Sequence, residues 1–352
     1  MWKHSLKSSP TLAQLAEFDE IIDVRTPSEF RIDHVPGAKN VPVLDDMERA
    51  SVGTLYAKDS FAAKKLGAAL ISRNIAKHLE TAFAEKPKSW RPLVYCWRGG
   101  KRSGAMSHIL AEIGWRSAKL EGGYKAYRRQ VIEMLEILPA QFSFRVICGE
   151  TGCGKSRLLD SLARGGAQVL DLEGLAKHRG SVLGSIPGED QPSQKYFESL
   201  LWQALSGFDA GEPVYVESES RKIGEIRVPQ ALIEAMWKGK CVRIGASLEV
   251  RTEILLQDYG HFLTDTETLD SRLQRLQELY GRETIDSWKK LAHEGKWAEF
   301  VRTLLDKHYD LSYRKSMLAH YPDYPEIRPR EATCAHPACF DKLAAEILDA
   351  AD

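Results

Sequence analysis

The chain is expected to be an α/β protein: an N-terminal parallel-sheet domain, then a second α/β domain carrying a phosphate-binding loop, then a helical C-terminal part. Three observations carry this expectation. Short apolar runs of strand length, such as EIIDV at 20–24 and PLVYC at 92–96, alternate with stretches that have apolar residues at helical spacing. That alternation indicates parallel strands covered on both faces. The series restarts after Pro139 with FSFRVIC and the glycine-rich GETGCGKS, and from about residue 265 the pattern is helical only. The boundaries predicted are 1–138, 139–264 and 265–352.

In the first domain EIIDV and PLVYC are strands, the second ending at Cys96. SGAMSHILAEIG at 103–114 is a helix stopped by Gly114. AKLEGG at 118–123 is a third strand closed by a glycine turn. In the second, a strand at 142–148 leads through the glycine loop into a helix at 155–163. AQVLDL (167–172), PVYVES (213–218) and CVRIGAS (241–247) are further strands. LDSRLQRLQELYG and IDSWKKLAHEGKWAEFVRTLLDKHYD read as helices. The proline- and charge-rich tail after Tyr321 reads as loops followed by a short helix at 340–350.

Of 352 residues, 43% are hydrophobic and 28% charged, which is ordinary for a globular protein. The 49 basic and 49 acidic residues cancel, so bulk charge does not mark a nucleic-acid binder, although a local basic face suffices for one. No apolar run reaches the roughly 18 residues of a membrane span. MWKHSLKSSP lacks an apolar signal core, so a cytoplasmic location is expected. Six cysteines are too few for a disulfide framework, so each is expected to be a buried hydrophobe, a ligand or a nucleophile. Cys148 and Cys241 sit in apolar runs and read as core; CAHPAC (Cys334, His336, Cys339) offers three donors at a spacing that fits no standard zinc site.

Cys96 opens the loop CWRGGKRS at a strand end, ahead of a helix. Loop N–H groups and the helix N-terminus converge on a sulfur so placed. Arg98, Lys101 and Arg102 add positive charge, and Gly99 and Gly100 let the backbone bend inward. The thiol is therefore expected below its free value of about 8.5. Trp97 is placed either to stack on a splayed base or to pack the loop. The C-x5-R spacing to Arg102 also suits a cysteine phosphatase, although no general acid is apparent.

IIDVRTPSEFRIDHVPGAKNVP at 21–42, CWRGGKRSGAMS and LEGGYKAYR at 120–128 together resemble a rhodanese domain. The resemblance implies that Cys96 holds a persulfide or related species, and that Asp23 and Arg25 form a structural ion pair.

GETGCGKS fits G-x-x-x-x-G-K-[ST], with Gly149, Gly154, Lys155 and Ser156 at the defined places and Thr151, Gly152 and Cys153 between them. The glycines let N–H groups face an anion, Lys155 neutralises charge and the Ser156 hydroxyl suits Mg²⁺. Glu217 and Glu219 end the strand PVYVE, where an acid commonly holds the metal's water shell. Cys153 reads as a tolerated small residue. The loop alone leaves ATP, GTP and an isoprenoid diphosphate open; the N-K-x-D that commonly selects guanine does not stand out.

The intervening segments narrow this. GTLYAKDSFAAKKLGAALISRNIAKHL (53–79) interrupts the rhodanese pattern; LDLEGLAKHRGSVLG, YVESESRKIG, ASLEVRTEILLQDYG and LLDKHYDLSYRKS follow the phosphate loop. In this order they resemble the tRNA 2-selenouridine synthase family over about residues 10 to 320. The resemblance implies geranylation of the sulfur of a wobble 2-thiouridine in tRNA by geranyl diphosphate, then replacement of that sulfur by selenium from selenophosphate. It assigns the diphosphate to Lys155, Ser156 and the loop amides, and selenium to Cys96. Arg179, Arg221 and Arg251 are further candidates for phosphate contacts. Lys64 and Lys65, Arg73 with Lys77 and His78, Arg128 and Arg129, and Arg314 with Lys315 are candidates for tRNA. The competing readings are an NTP-dependent tRNA sulfurtransferase with a persulfide on Cys96, and a regulator that binds without turnover.

Overall fold

A computed structural model describes residues 10–350. The stretch MWKHSLKSSP, apart from Pro10, lies outside the described residues. The chain divides into two units, one running to Met134 and including Pro192–Gln203, the other comprising Leu135–Gln191 and the chain from Ala204.

The first unit contains β1 (Glu20–Asp23), α1 (Pro27–Ile32), β2 (Lys39–Asn40), α2 (Asp46–Lys58), α3 (Ser60–Glu80), β3 (Pro92–Tyr95), α4 (Lys101–Ile113), β4 (Ala118–Lys119) and the start of α5 (Gly123–Ile137). Its sheet is parallel, in the order β2-β1-β3-β4. All four residues of β3 are buried, so the strand reads as an unbroken apolar run. Ile22, Val24, Val94, Met106 and Leu110 form its core. Local chemistry sets the helix starts. Thr26 and Glu29 cap α1 reciprocally, with Pro27 at its first turn. Asp45 and Glu48 do the same for α2. The inserted 53–79 segment completes α2 and supplies nearly all of α3, which pack against each other.

The second unit contains β5 (Phe144–Cys148), α6 (Lys155–Arg164), β6 (Gln168–Leu170), α7 (Leu172–Ala176), the end of α8 (Gln194–Ser206), β7 (Val214–Glu217), the hairpin β8 (Lys222–Ile223) and β9 (Ile226–Arg227), α9 (Gln230–Trp237), β10 (Lys240–Ala246) and α10 (Leu248–Asp258). Then come α11 (Thr266–Gln274), α12 (Gln277–Tyr280), α13 (Arg282–His293), α14 (Trp297–Leu304), α15 (Asp310–His320), β11 (Arg330–Ala332) and α16 (Pro337–Asp349). The sheet is parallel, in the order β11-β10-β5-β7-β6. One core joins α6, α16 and the sheet through Leu158, Leu162, Phe340 and Ile347; another lies among the C-terminal helices around Leu269, Trp288 and Leu304.

Three features depart from the sequence reading. The tail is not loops plus a short helix: Arg330–Ala332 pairs with β10, and α16 is 13 residues long. A three-residue edge strand reading REA carries no strand signature of its own; its neighbour supplies the pairing. Cys334 and Cys339 are joined in a disulfide, against the expectation that no cysteine would be so used. The turn into α16, capped by the His336 side chain, brings their Cα atoms to 6.0 Å. Most of α8 belongs with the first unit, a placement no motif announces. There the buried Asp33 carboxylate accepts hydrogen bonds from Tyr124 Oη at 2.7 Å and Ser199 Oγ at 2.8 Å. A carboxylate out of water needs such partners, and one of them comes from α8.

Gly123 fixes the thiol loop against the rest of the first unit. Its φ is +58°, and a Cβ there would stand 2.3 Å from the Cys96 carbonyl oxygen and 2.4 Å from the Gly99 nitrogen. Gly123→Ala is expected to cost at least about 1–3 kcal/mol, read as an earlier urea unfolding midpoint; an unchanged midpoint would refute the tight approach.

Candidate functional sites: a thiol loop and a phosphate cradle beside an apolar cleft

Strand β3 delivers Cys96 to the head of α4. Cys96 is 4% exposed, and its sulfur lies 3.2 Å from Ser103 Oγ. Burial pushes the thiol up, but hydrogen bonds from Ser103 (hydroxyl and backbone) and the Arg98 N–H, with the Arg102 charge, outweigh it and bring it below its ordinary value. Ser103 is a site residue the sequence reading missed, although a serine in the first turn after the loop was visible. Arg102 is held by Glu29 at 2.7 Å, whereas Arg98 and Lys101 are exposed and make no ion pair with a described residue. Trp97 is 40% exposed, with its ring 5.2 Å from that of Tyr124. Gly99 takes φ +63°. Asp23 and Arg25 form a buried pair at 2.6 Å, and the guanidinium lies 3.9 Å from the Tyr124 ring. The α2–α3 hairpin walls an open groove of about 1640 Å³ above the thiol, with Val52, Tyr56, Lys64 and Ile71 facing Cys96, Trp97 and Gly100.

In the second unit the phosphate loop joins β5 to α6. Gly152 (φ +82°) and Gly154 (φ +85°) take left-handed backbone, and a Cβ on Gly154 would meet the Phe340 ring at 2.4 Å. Lys155 Nζ donates to the Gly149 carbonyl at 2.9 Å, and the Gly149 N–H donates to Tyr313 Oη at 2.6 Å. Ser156 Oγ donates to Glu173 Oε2 at 3.1 Å. Lys155, Ser156, Glu173 and Tyr313, with Arg179 and Glu219, line a pocket of about 1180 Å³. Arg179 Nη1 is buried without a hydrogen-bond partner, and its guanidinium lies 5.1 Å from the Tyr259 ring.

Several candidates are placed differently from the sequence reading. Arg251 is 4% exposed and turned into the fold: it pairs with Glu150 and Asp310, and its Nε donates to the Thr151 carbonyl at 2.8 Å. It braces the loop and presents no phosphate contact. Arg221 is exposed, lies over the Trp237 ring at 4.9 Å and is absent from the pocket lining. Cys153, 1% exposed, packs in the core with Phe340 and Leu343, so only its backbone belongs to the loop. Glu217 is buried behind the pocket, where its Oε1 accepts the Glu173 N–H at 2.9 Å. Of the RNA candidates, Arg128 is engaged by Glu198, Arg314 by Glu150 at 2.9 Å, and His78 by the Pro42 carbonyl at 2.8 Å. Lys65, Arg73, Lys77, Arg129 and Lys315 are exposed. CAHPAC is closed by its disulfide.

Glu173, also missed, is the residue that Ser156 addresses; an acid just after a strand of a phosphate-loop protein was the available signal. Burial, then the neighbouring Glu219 charge, push Glu173 up to about 8. Burial also raises Glu219 and Glu217. Two crowded carboxyls beside a hydroxyl are a mismatch that a divalent cation relieves. Among the described residues no group of three or more His, Cys, Asp or Glu is arranged to hold a metal alone. Ser156, Glu173 and Glu219 are the groups here that could hold a Mg²⁺, with water and ligand oxygens completing its shell.

Next to the cradle lies an apolar cleft walled by Leu183, Leu256, Phe262, Trp297, Val301 and Leu304. Thr151, Leu255, Tyr259 and Tyr309 line both cavities. The periodicity of the helices announced apolar faces, but not that part of them stays open beside the loop.

The Glu173 shift has a pH consequence. A carboxyl raised above its ordinary 4.5 contributes stability below that value and loses it as pH rises through about 8. Glu173→Gln, fixed neutral, is expected to flatten the decline in melting temperature between about pH 5 and 9; an unaltered slope would count against the crowded pair.

A family profile described as the tRNA 2-selenouridine synthase AAA domain matches residues 142–278, and one described as a rhodanese-like domain matches 8–130. A protein from Hydrogenovibrio crunogenus named tRNA 2-selenouridine synthase is 38% identical over 74% of this chain and 74% of its own length. One of the same name from Nitrosomonas europaea is 37% identical over 68% of this chain and 63% of its own. A third, from a Sulfurovum species, is 34% identical over 78% and 72%. Among the described residues no helix is long and apolar enough to cross a membrane.

Proposed function

The chain belongs to the tRNA 2-selenouridine synthase family, and from that premise we propose that it geranylates the sulfur of a wobble 2-thiouridine in tRNA and then exchanges that sulfur for selenium. One observation carries the first step: a cradle suited to a diphosphate shares walls with a cleft suited to a prenyl chain. At about 0.8 kcal/mol per buried carbon, the ten carbons of a geranyl group gain roughly 8 kcal/mol before ordering costs. The cleft offers a purine few hydrogen-bond partners, which favours geranyl diphosphate over a nucleoside triphosphate and weighs against the NTP-dependent sulfurtransferase.

In this reading Lys155, the loop amides and the unpartnered Arg179 Nη1 hold the diphosphate, while Ser156 and the Glu173–Glu219 pair hold Mg²⁺, which supplies further charge neutralisation when bound. The thiocarbonyl sulfur bonds to the allylic carbon as the carbon–oxygen bond breaks. Diphosphate leaves with the electron pair, and the base releases its N3 proton. Alkylation turns a poor leaving group into one that departs as a thiol.

The second step uses the thiol loop. With Arg98 and Lys101 free to meet the anion, the Cys96 thiolate takes the phosphoryl group of selenophosphate as the phosphorus–selenium bond breaks; the hydroselenide released bonds to C2 of the base, geranylthiolate leaves, and water then clears phosphate from the sulfur. The groove beneath the α2–α3 hairpin receives the base, and Trp97 stands at its edge. A tRNA substrate places the reaction in the cytoplasm.

Lys155→Ala is expected to abolish geranyl transfer to thiolated tRNA, scored by mass spectrometry of nucleosides; undiminished transfer would rule out the cradle assignment. Cys96→Ala is expected to leave geranylation intact, stop selenation and let the geranylated nucleoside accumulate. Normal selenouridine from that variant would remove Cys96 from the mechanism.

A further inference from the structure

A third concave site in the second unit carries a different signature. Arg145 on β5, Lys240 and Arg243 on β10, Arg328 ahead of β11 and Arg330 on it line a groove of about 960 Å³ into which no carboxylate-bearing residue projects. None of the five forms an ion pair with a described residue. Arg145 and Lys240 stand opposite each other in register on neighbouring strands, an arrangement that like charges disfavour. Arg243 is held by the carbonyls of Tyr324, Pro325 and Ile327 at 3.1–3.3 Å and lies 4.6 Å from the Tyr324 ring; Arg330 Nη1 donates to the Glu346 carbonyl at 3.0 Å. Backbone carbonyls fix these guanidiniums without neutralising them. Tyr215 lies among them, its phenol raised by burial and pulled down by the Arg145 and Arg330 charges.

We propose that this groove docks the phosphodiester backbone of RNA; the inference rests on the reading that tRNA is the substrate and locates where a remote part of it is held. The lining contains no glycine-rich loop to converge N–H groups on a single phosphate, as the cradle does. It presents spaced point charges, which suit a repeating polyanion. It carries no exposed large apolar side chain to insert into a membrane. Arg145 is four residues before Gly149, about 13 Å along β5. The groove therefore meets RNA at a distance from the phosphate loop, and reads charge, not sequence.

The test uses the full chain with Lys240→Glu/Arg328→Glu and the milder Lys240→Gln/Arg328→Gln, positions exposed to solvent and outside both reaction sites. Binding of a thiolated tRNA transcript and of a heptamer covering only the anticodon loop is measured across salt concentrations. The expected result is tRNA affinity weakened about tenfold or more by the reversal. The log–log salt slope should become shallower by about one to two in the neutral variant. Heptamer binding, and geranyl transfer at saturating tRNA, are expected to stay within about twofold. An unchanged tRNA affinity and slope in the folded neutral variant would overturn the proposal, as would displacement of tRNA by polyglutamate as readily as by unmodified RNA. Binding is read without chemistry: a wild-type chain that binds tRNA but transfers no geranyl would sink the activity and leave the groove standing.

Discussion

The second unit turns on one buried guanidinium. Arg251 reaches Glu150 and the Thr151 carbonyl in the phosphate loop and Asp310 at the head of α15. Asp310 lies next to Tyr309, which walls both the cradle and the apolar cleft, and three residues before Tyr313, which caps the Gly149 N–H. One side chain thereby sets the loop at a fixed distance from the helix that lines the neighbouring cavity. Ion networks out of water are weak evidence of net stability, but breaking one by removing a partner costs about 3–5 kcal/mol. The value of Arg251 lies in allowing one arrangement of loop and helix, the arrangement in which the phosphate-loop pocket and the apolar cleft adjoin.

The two sites solve opposite electrostatic problems. At Cys96 an anion must survive burial, and donated hydrogen bonds from Ser103 and the Arg98 N–H outweigh the desolvation. In the cradle, negative charge arrives with the ligand, and the crowded carboxyls are held toward their protonated forms. The cradle's polar groups are bonded among themselves: Lys155 to the Gly149 carbonyl, Ser156 to Glu173. In the proposed reaction a diphosphate entering there exchanges these for charge-assisted bonds. Arg179 Nη1, buried and unpartnered, loses nothing by the exchange.

Both loops were legible in the sequence because their chemistry is local. Glycines that need left-handed backbone, a cysteine at a strand end and a lysine before a serine sit within a few residues of one another, and each reports its own geometry. What escaped depends on partners far along the chain. Arg251 and Arg221 looked alike as arginines near acidic or phosphate-facing segments; only folding shows the first locked between residues 101 and 59 positions away and the second lying on Trp237. Cys153 lies inside the motif yet is buried in one core with Phe340, nearly 190 residues on, so the motif reported its backbone and not its side chain. Strand β11 is recognisable only beside β10, and the Pro192–Gln203 stretch of α8 only beside Asp33.

The composition of the cleft bears on the chemistry as well as on binding. Ionisation of an allylic diphosphate separates a cation from an anion. In the proposed reaction the cradle answers the anion. The cleft and the walls it shares with the cradle present Tyr259, Phe262, Trp297 and Tyr309, aromatic faces that attract a cation without offering it a nucleophile. A lining that presented carboxylates or free hydroxyls would trap the carbocation or admit water to do so; here the Tyr259 hydroxyl is engaged by Ser181, and in the proposed reaction the aromatic and aliphatic faces leave the thiocarbonyl sulfur as the partner of choice. Partial exclusion of water also strengthens each charge interaction in the cradle. In the proposed reaction, then, the features that retain the prenyl chain are also those that direct it to sulfur, which accounts for the cleft sharing residues with the phosphate pocket instead of standing apart from it.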